Sequence, residues 1–159
     1  MQNLTSLEQR SNGAVENKGL GADGLNIKGV ARFTFNAATK DSLGVANTTV
    51  AAHGTGVVLP ANAVVIGGFI ETNTAFTGAG ASIAISVMGA NDIVSAAAIS
   101  GAPWSTIGLK AIVPKNNTPE ATGIKVTAAK EITCTVSGAV LTAGKLTGFL
   151  EYVISTPSA

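Results

Sequence analysis

The chain has 159 residues and a mass of 15.7 kDa, enough for one domain that buries its own core without disulfides or metal ions. Only 12% of the residues are charged, the net charge is +1 and the mean hydropathy is +0.39, which favours a protein partly covered by its own copies or by a partner. Scattered Lys and Arg and an aromatic content of 4% argue against direct binding of nucleic acid, and no apolar run reaches the roughly 20 residues that cross a bilayer.

The first 28 residues differ in composition from the rest of the chain. Polar residues and glycines interrupt every apolar period there, so we predict an extended N-terminal arm over residues 1–28 and a folded domain over residues 29–159. Residues 1–8 lack the basic and apolar regions of a secretory signal, and we expect synthesis in the cytoplasm. An arm of this kind orders on a neighbouring subunit or stays loose.

From Val30 onward, apolar and polar residues alternate in short segments separated by Gly, Asn and Pro. This period of two predicts half-buried antiparallel strands. The predicted strands cover residues 31–35, 47–52, 63–71, 81–88, 108–113, 123–128, 131–136 and 145–155. One short helical turn is predicted at 91–99, with Asn91 or Asp92 as its cap. The number and length of the strands predict an all-β, antiparallel β-sandwich, either a jelly roll or an immunoglobulin-like arrangement.

Two predicted strands have apolar residues on both faces. In the first, Gly67 and Gly68 indicate a bulge or a close approach of another backbone. In the last, Phe149 and Val153 form a second apolar face opposite the face of Leu150. We therefore expect residues 145–155 to form a central strand, or a strand whose outer face meets another subunit.

Few side chains in this sequence can carry chemistry. Residues 19–24 match G-x-G-x-x-G, but a polar segment precedes them and a strand follows, so the dinucleotide motif lacks its context. His53 and Cys134 are the only histidine and cysteine; a pairing between them stays open, although Cys134 falls on the apolar face of its strand. Residues 89–92 lack a calcium-ligand series. We expect no catalytic residue, cofactor or bound metal.

The only tryptophan, Trp104, follows Pro103 in a Gly-rich loop. A tryptophan in such a loop either plugs the end of the sandwich or anchors the chain in a partner's pocket, because Trp is enriched in interface hot spots. The sequence does not distinguish between these two positions of Trp104.

Four segments of the sequence resemble small virion proteins of tailed bacteriophages, which are described as capsid decoration or cement proteins. They are Leu59-Pro-Ala-Asn-Ala-Val-Val65, Ile85-Ser-Val-Met-Gly-Ala-Asn-Asp92, Leu141-Thr-Ala-Gly-Lys-Leu146 and Leu150-Glu-Tyr-Val153. The resemblance covers about residues 45–155 and includes no counterpart of the arm. It implies a jelly-roll sandwich that assembles as a homotrimer on the phage head and stabilises it by binding between subunits of the major capsid protein.

The expected interface residues follow from the arm, the tryptophan loop and the last strand. They are Leu4, Leu7, Arg10, Lys18, Trp104, Phe149 and Val153. Two other functions remain as alternatives: an adhesion component of the phage tail or of a head fibre, and a carbohydrate-binding sandwich. Fibres usually contain long repeats, which the sequence lacks, and sugar-binding modules stack sugars on exposed aromatic rings, of which Trp104 and Tyr152 are the main candidates.

Overall fold

The computed structural model describes residues 28–114 and 123–155, and these residues form eight strands and no helix. The strands are β1 (Lys28–Asn36), β2 (Ala52–Leu59), β3 (Ala63–Thr77), β4 (Ser82–Ser86), β5 (Val94–Ala98), β6 (Gly108–Ile112), β7 (Lys130–Ser137) and β8 (Ala143–Ile154). The predicted arm lies almost wholly outside the described residues.

The strands form two four-stranded antiparallel sheets. The first sheet has the order β1-β8-β3-β6 and the second the order β2-β7-β4-β5. Apart from β4 and β5, which are neighbours in the second sheet, successive strands lie in opposite sheets, in the manner of a jelly roll. The predicted all-β antiparallel sandwich is confirmed.

The core lies between the two sheets and is built from alternate residues of their strands. Every second residue of β7 is buried, from Ile132 to Val136, whereas the residues between them are partly exposed. In the first sheet, Phe33, Phe35 and Leu146 meet this layer from the other side. The period of two in the sequence thus determines which face of each strand is buried in the core.

β8 is the central strand of the first sheet, as predicted. It pairs with β1 along Lys28–Asn36 and with β3 from Ala63 to Thr77. Gly148 lets this strand approach the core aromatic ring of Phe33, because a Cβ at that position would lie 2.1 Å from a ring carbon.

Two of the predicted secondary-structure elements are wrong. The predicted helical turn at 91–99 contains β5 instead, whose Val94 pairs with Ile85 of β4. The predicted strand at 47–52 is a series of turns, and β2 begins only at Ala52. There the Asn47 side chain donates to the Asn36 carbonyl over 3.0 Å, and such side-chain bonds compete with a strand ladder.

The predicted strand at 123–128 is reduced to one isolated bridge, between Val64 and Lys125. Its backbone still bonds β3, since the Val126 amide donates to the Ala63 carbonyl over 2.8 Å. β6 occupies the adjoining stretch of the same β3 edge, at Gly68–Thr72. Residues 123–126 and β6 thus share one long edge of β3, and residues 123–128 do not form a strand of their own.

The glycine pair in β3 combines the two features that the sequence suggested. The pairing with β8 shifts between Val65 and Gly67, which marks a bulge. Gly68 has a φ of 152°, and a Cβ there would lie 2.1 Å from the carbonyl oxygen of Phe149. A Cβ on Gly67 would meet nothing within 4 Å.

We expect Gly68→Ala to lower the free energy of unfolding by roughly 1–3 kcal/mol, because the methyl group would push β3 away from the β8 backbone. Gly67→Ala is the matched control in the neighbouring position and should cost much less. Urea denaturation of both variants measures the difference. Equal losses would contradict the close approach at Gly68.

Candidate interaction surface

The outer side of the first sheet is apolar over much of its area. Leu109 is 65% exposed, Val113 67%, Val30 57% and Ile66, at the bulge, 48%. Together with three partly buried side chains they form what we call the apolar face: Val30, Ile66, Phe69, Leu109, Val113, Phe149 and Val153. Water-exposed apolar groups gathered on one side mark a surface suited to a partner.

A pair of aromatic rings lies at the centre of the apolar face. Phe69 of β3 is directly opposite Phe149 of β8, and their ring centroids are 4.7 Å apart with planes inclined by 30°. On the other side of β8, the guanidinium carbon of Arg32 lies 6.0 Å from the centroid of Phe149. This distance is at the limit of a cation–π contact, so Arg32 partly covers the ring.

Charged and polar side chains also lie within the apolar face, since Glu151 stands between Phe149 and Val153 on the outer side of β8, opposite Val30 of β1. Lys28 and Glu151 form an ion pair of 2.8 Å, with side chains 51% and 31% exposed. The Thr147 hydroxyl donates to the amide oxygen of Asn73 over 3.0 Å. An exposed ion pair contributes little stability. The apolar face therefore contains one neutralised ion pair, and the Arg32 guanidinium lies beside its aromatic centre.

The outer side of the second sheet has a different composition. It presents short polar side chains, among them Thr133 and Thr135 of β7 and Ser82 of β4. Val58 of β2 is 55% exposed on this side and has no comparable apolar group around it. The two exteriors of the sandwich are therefore unequal.

An apolar groove of about 410 Å³ opens between the edge strands β5 and β6. Ile70, Ile93 and Ile112 of the core reach its floor. The Lys110 ammonium group donates to the carbonyls of Thr106 and Gly108 at its border. Since β6 also carries part of the apolar face, one partner can cover the groove and that face together.

The structure brings together two of the predicted interface residues, Phe149 and Val153, on the apolar face. Trp104 is instead fully buried and packs edge-to-face on Phe76, with ring centroids 6.1 Å apart. It is the plug of the two predicted alternatives, because no part of its ring reaches the surface where a partner would bind. The predicted arm residues lie outside the described residues; they are Leu4, Leu7, Arg10 and Lys18.

His53 and Cys134 face each other across the β2–β7 pair. They do not form a nucleophile and base, since both imidazole nitrogens have other partners: Nδ1 lies 3.1 Å from Asp41 Oδ2, and Nε2 lies 2.8 Å from the Thr49 carbonyl oxygen. Burial raises the pKa of the Cys134 thiol, which disfavours the reactive thiolate. No pattern in the sequence indicates the contact between Asp41 and His53, which joins a loop to a strand.

The Asp92 carboxylate is also used internally. It accepts hydrogen bonds from the amides of Val87, Met88 and Gly89 at 2.8–2.9 Å. Its oxygens are thus directed to the backbone of its own loop. Among the described residues, no three acidic, His or Cys side chains are grouped to hold a metal ion, and no helix is long and apolar enough to span a membrane.

We expect ionised Asp41 to stabilise the fold and this contribution to disappear in acid. Burial acts to raise the pKa of the Asp41 carboxyl, but hydrogen bonds from Val45, His53 and Leu43 outweigh it, so the pKa lies below its ordinary 3.8. The stabilisation is therefore complete above about pH 3.8 and is lost as the pH falls through the lower folded-state pKa. Urea denaturation from pH 2 to 7 should show that Asp41→Asn loses less stability over this range than the wild type. Parallel losses would contradict the assignment.

No protein-family model matches this chain, and no curated protein matches it. Three solved structures share its fold. A chain of the cyanophage Pam1 capsid asymmetric unit has 16% identity and a TM-score of 0.54, and the match covers 82% of this chain and 86% of that chain. A chain of the Ralstonia phage GP4 capsid has 17% identity and a TM-score of 0.56, with the same two coverages.

The third similar structure is the acidic stable capsid of Helicobacter pylori bacteriophage KHP30. Its matched chain has 12% identity and a TM-score of 0.53, with 82% of this chain and 90% of that chain covered. The matches extend over nearly the whole of all three chains, so the common unit is one entire sandwich domain. At these identities the likeness is one of fold.

Proposed function

We propose that this chain is a structural protein of a phage virion, and within the virion a decoration (cement) protein that stabilises the head by binding between subunits of the major capsid protein. It acts without catalysis or cofactor, as a homotrimer on the head surface. It is made in the cytoplasm of the bacterial host and ends in the particle.

The observation that carries the proposal is the recurrence of the same sandwich in three phage capsid structures. The similar chains belong to phages of a cyanobacterium, of Helicobacter and of Ralstonia. Each match covers at least 86% of the other chain, so those chains are single small domains of comparable size. The resemblance of four sequence segments to decoration proteins supports the narrower role.

The apolar face supports assembly of several copies. Four strands spaced about 4.8 Å apart and averaging about ten residues give the outer side of this sheet an area of roughly 600–700 Å². A stable interface buries about 800 Å² per partner. We infer that the face joins copies of the chain, with Phe149 and Val153 in the contact, and that a further contact completes the interface.

The N-terminal arm is our candidate for that further contact. It precedes Lys28, whose side chain lies at the margin of the apolar face. At most about 3.5 Å per residue, an extended arm of 27 residues reaches about 90 Å, which is enough to reach adjacent capsid subunits. Leu4, Leu7, Arg10 and Lys18 are the residues that we propose for contact with the major capsid protein. Three arms on one trimer add avidity to a modest single contact.

Two alternatives remain distinguishable by experiment. A tail or head-fibre adhesion component would also be part of the virion. Immunogold labelling of intact particles would show whether the protein lies on the head or on the tail. A carbohydrate-binding sandwich needs exposed rings for stacking, and the burial of Trp104 removes one of its two main candidates, the other being Tyr152. Saturable binding on a glycan array that is lost in Phe149→Ala would favour the sugar-binding function.

Removal of residues 1–27 leaves β1 intact and tests the arm. We expect the truncated protein to keep the fold and thermal stability of the full chain but to occupy phage heads lacking this protein at least tenfold less, because one contact per subunit is lost. Cryo-electron microscopy of heads mixed with each protein measures occupancy. Unchanged occupancy would remove the arm from the proposal.

A second test separates the two exteriors of the sandwich. Leu109→Lys places a charge on the apolar face, and Val58→Lys places one at a similarly exposed position on the other sheet. We expect Leu109→Lys to shift the trimer toward monomer and Val58→Lys to leave the trimer unchanged, since only the first charge would be buried between copies. Multi-angle light scattering measures the mass. A monomeric wild type would contradict assembly through this face.

A further inference from the structure

The connection between β1 and β2 presents a second exposed apolar group, separate from the apolar face. Leu43 is 85% exposed, Val50 53% and Val45 43%. The connection spans residues 37–51 and contains no strand, and we call it the β1–β2 loop. Leu43 is the most exposed large apolar side chain of the described residues. Folding of a single copy therefore leaves this side chain in water.

Hydrogen bonds hold the backbone of the β1–β2 loop beside β2. Asp41 Oδ1 accepts the amide hydrogen of Leu43 at 2.9 Å, and Asp41 Oδ2 lies 3.1 Å from His53 Nδ1. The Ser42 amide donates to the Gly54 carbonyl of β2 over 3.3 Å. A loop held in this way has little conformational freedom to lose when it meets a partner.

The groove between β5 and β6 is complementary to this exposed side chain. Its volume is about 410 Å³, and core isoleucines form its floor. A cavity of about 150 Å³ is enough to bind benzene, so the groove has room for a leucine side chain. Small residues line it, namely Ser95 of β5, Ala111 of β6 and Ala102 between these strands. β5 and β6 are the last strands of their sheets, so each has an unpaired edge at the groove.

The loop and the groove lie at the same level of the second sheet, at its opposite edges. His53 of β2 is paired with Cys134 of β7. Cys134 is paired with Ile85 of β4, which is paired in turn with Val94 of β5. These four residues form one row across the sheet. The β1–β2 loop is bound at the His53 end of the row, and Val94 lines the groove at the other end.

We propose that copies of this chain meet head-to-tail, with Leu43 of one copy in the β5–β6 groove of the next. A copy placed beside another at the same height brings its loop to the neighbouring groove, because both lie on one row of the sheet. The inference rests on the proposed assembly of copies and defines its geometry. The two contacting surfaces differ, so the contact is heterologous and closes into a ring, which with three copies is the homotrimer.

The apolar face fits the same ring. β1 and β2 end the two sheets on the loop side of the sandwich, and β6 and β5 end them on the groove side. Copies joined edge to edge around an axis parallel to their strands turn one sheet toward the axis and the other outward. With the first sheet inside, the apolar faces of all copies converge. The outer side of this sheet, roughly 600–700 Å², is smaller than the about 800 Å² that a stable interface buries per partner, and the edge contact adds the missing area.

A pair of introduced cysteines tests the contact in the full-length protein. Leu43→Cys and Ser95→Cys in one chain place one thiol on the loop and one at the groove, and a short bismaleimide links thiols that lie close together. The native Cys134 is buried, which raises the pKa of its thiol and keeps it unreactive. We expect covalent dimers and trimers on a denaturing gel, because each copy is linked to the next around the ring. Dimers alone at complete thiol modification would contradict the ring, since a two-fold contact stops at dimers.

A matched pair controls for links between any two exposed thiols. Val58→Cys with Ser95→Cys keeps the groove thiol and moves the other along β2, to a position that is 55% exposed and lies outside the row. We expect this pair to form no covalent trimers. Trimers at the same yield as with Leu43→Cys would contradict a specific contact of the loop with the groove.

Leu43→Lys separates this contact from the assembly as a whole. Because Leu43 is exposed in the single copy, we expect an unchanged midpoint of urea denaturation but a dissociation constant of the trimer raised at least tenfold. Multi-angle light scattering over a dilution series measures the dissociation. A trimeric wild type that Leu43→Lys leaves unchanged would overturn the contact and leave the proposed assembly in place. A wild type that is monomeric at every concentration would overturn both.

Discussion

The burial of β8 between two long neighbours is the constraint on which the rest of the structure depends. β1 and β3 use both edges of this strand, so its backbone hydrogen bonds join three strands of the first sheet. Its inward residues Leu146 and Leu150 form core contacts, and its outward Phe149 anchors the apolar face. One strand therefore specifies the sheet, part of the core and the surface through which we propose the copies meet.

Chain segments with strict alternation could be predicted from the sequence, and those with local side-chain bonding could not. The residues of β7 alternate between apolar and polar, and only one register buries Ile132, Cys134 and Val136 together. Asn47 and Thr49 instead bond to nearby carbonyls and replace a predicted strand by turns. This competition depends on which carbonyl groups lie near each side chain in the folded chain. The order of apolar and polar residues in the sequence does not contain that information.

Only part of the apolar face could be predicted from the sequence, namely the part that follows from alternation within one strand. Phe149 and Val153 could be predicted as interface residues because they give one strand a second apolar face, and such a face is normally covered by another protein surface. Leu109 of β6 and Val113 just after this strand show the same alternation, but their addition to that face requires the order β8-β3-β6, which joins strands distant in the sequence. For Trp104 the sequence leaves a plug and an interface anchor equally open, because the burial of its ring against Phe76 depends on the folded chain.

The unequal exteriors of the two sheets give each copy a defined inside and outside. If an assembly hides the apolar side, the surrounding medium meets mainly the hydroxyl groups of the second sheet, such as Thr133 and Thr135. Hydroxyl groups do not titrate, and uncharged surfaces are little affected by ionic screening. Such an exterior would keep its character in fresh water, in salt and across a wide pH range, so a particle coated with it would carry the same surface from one environment to the next.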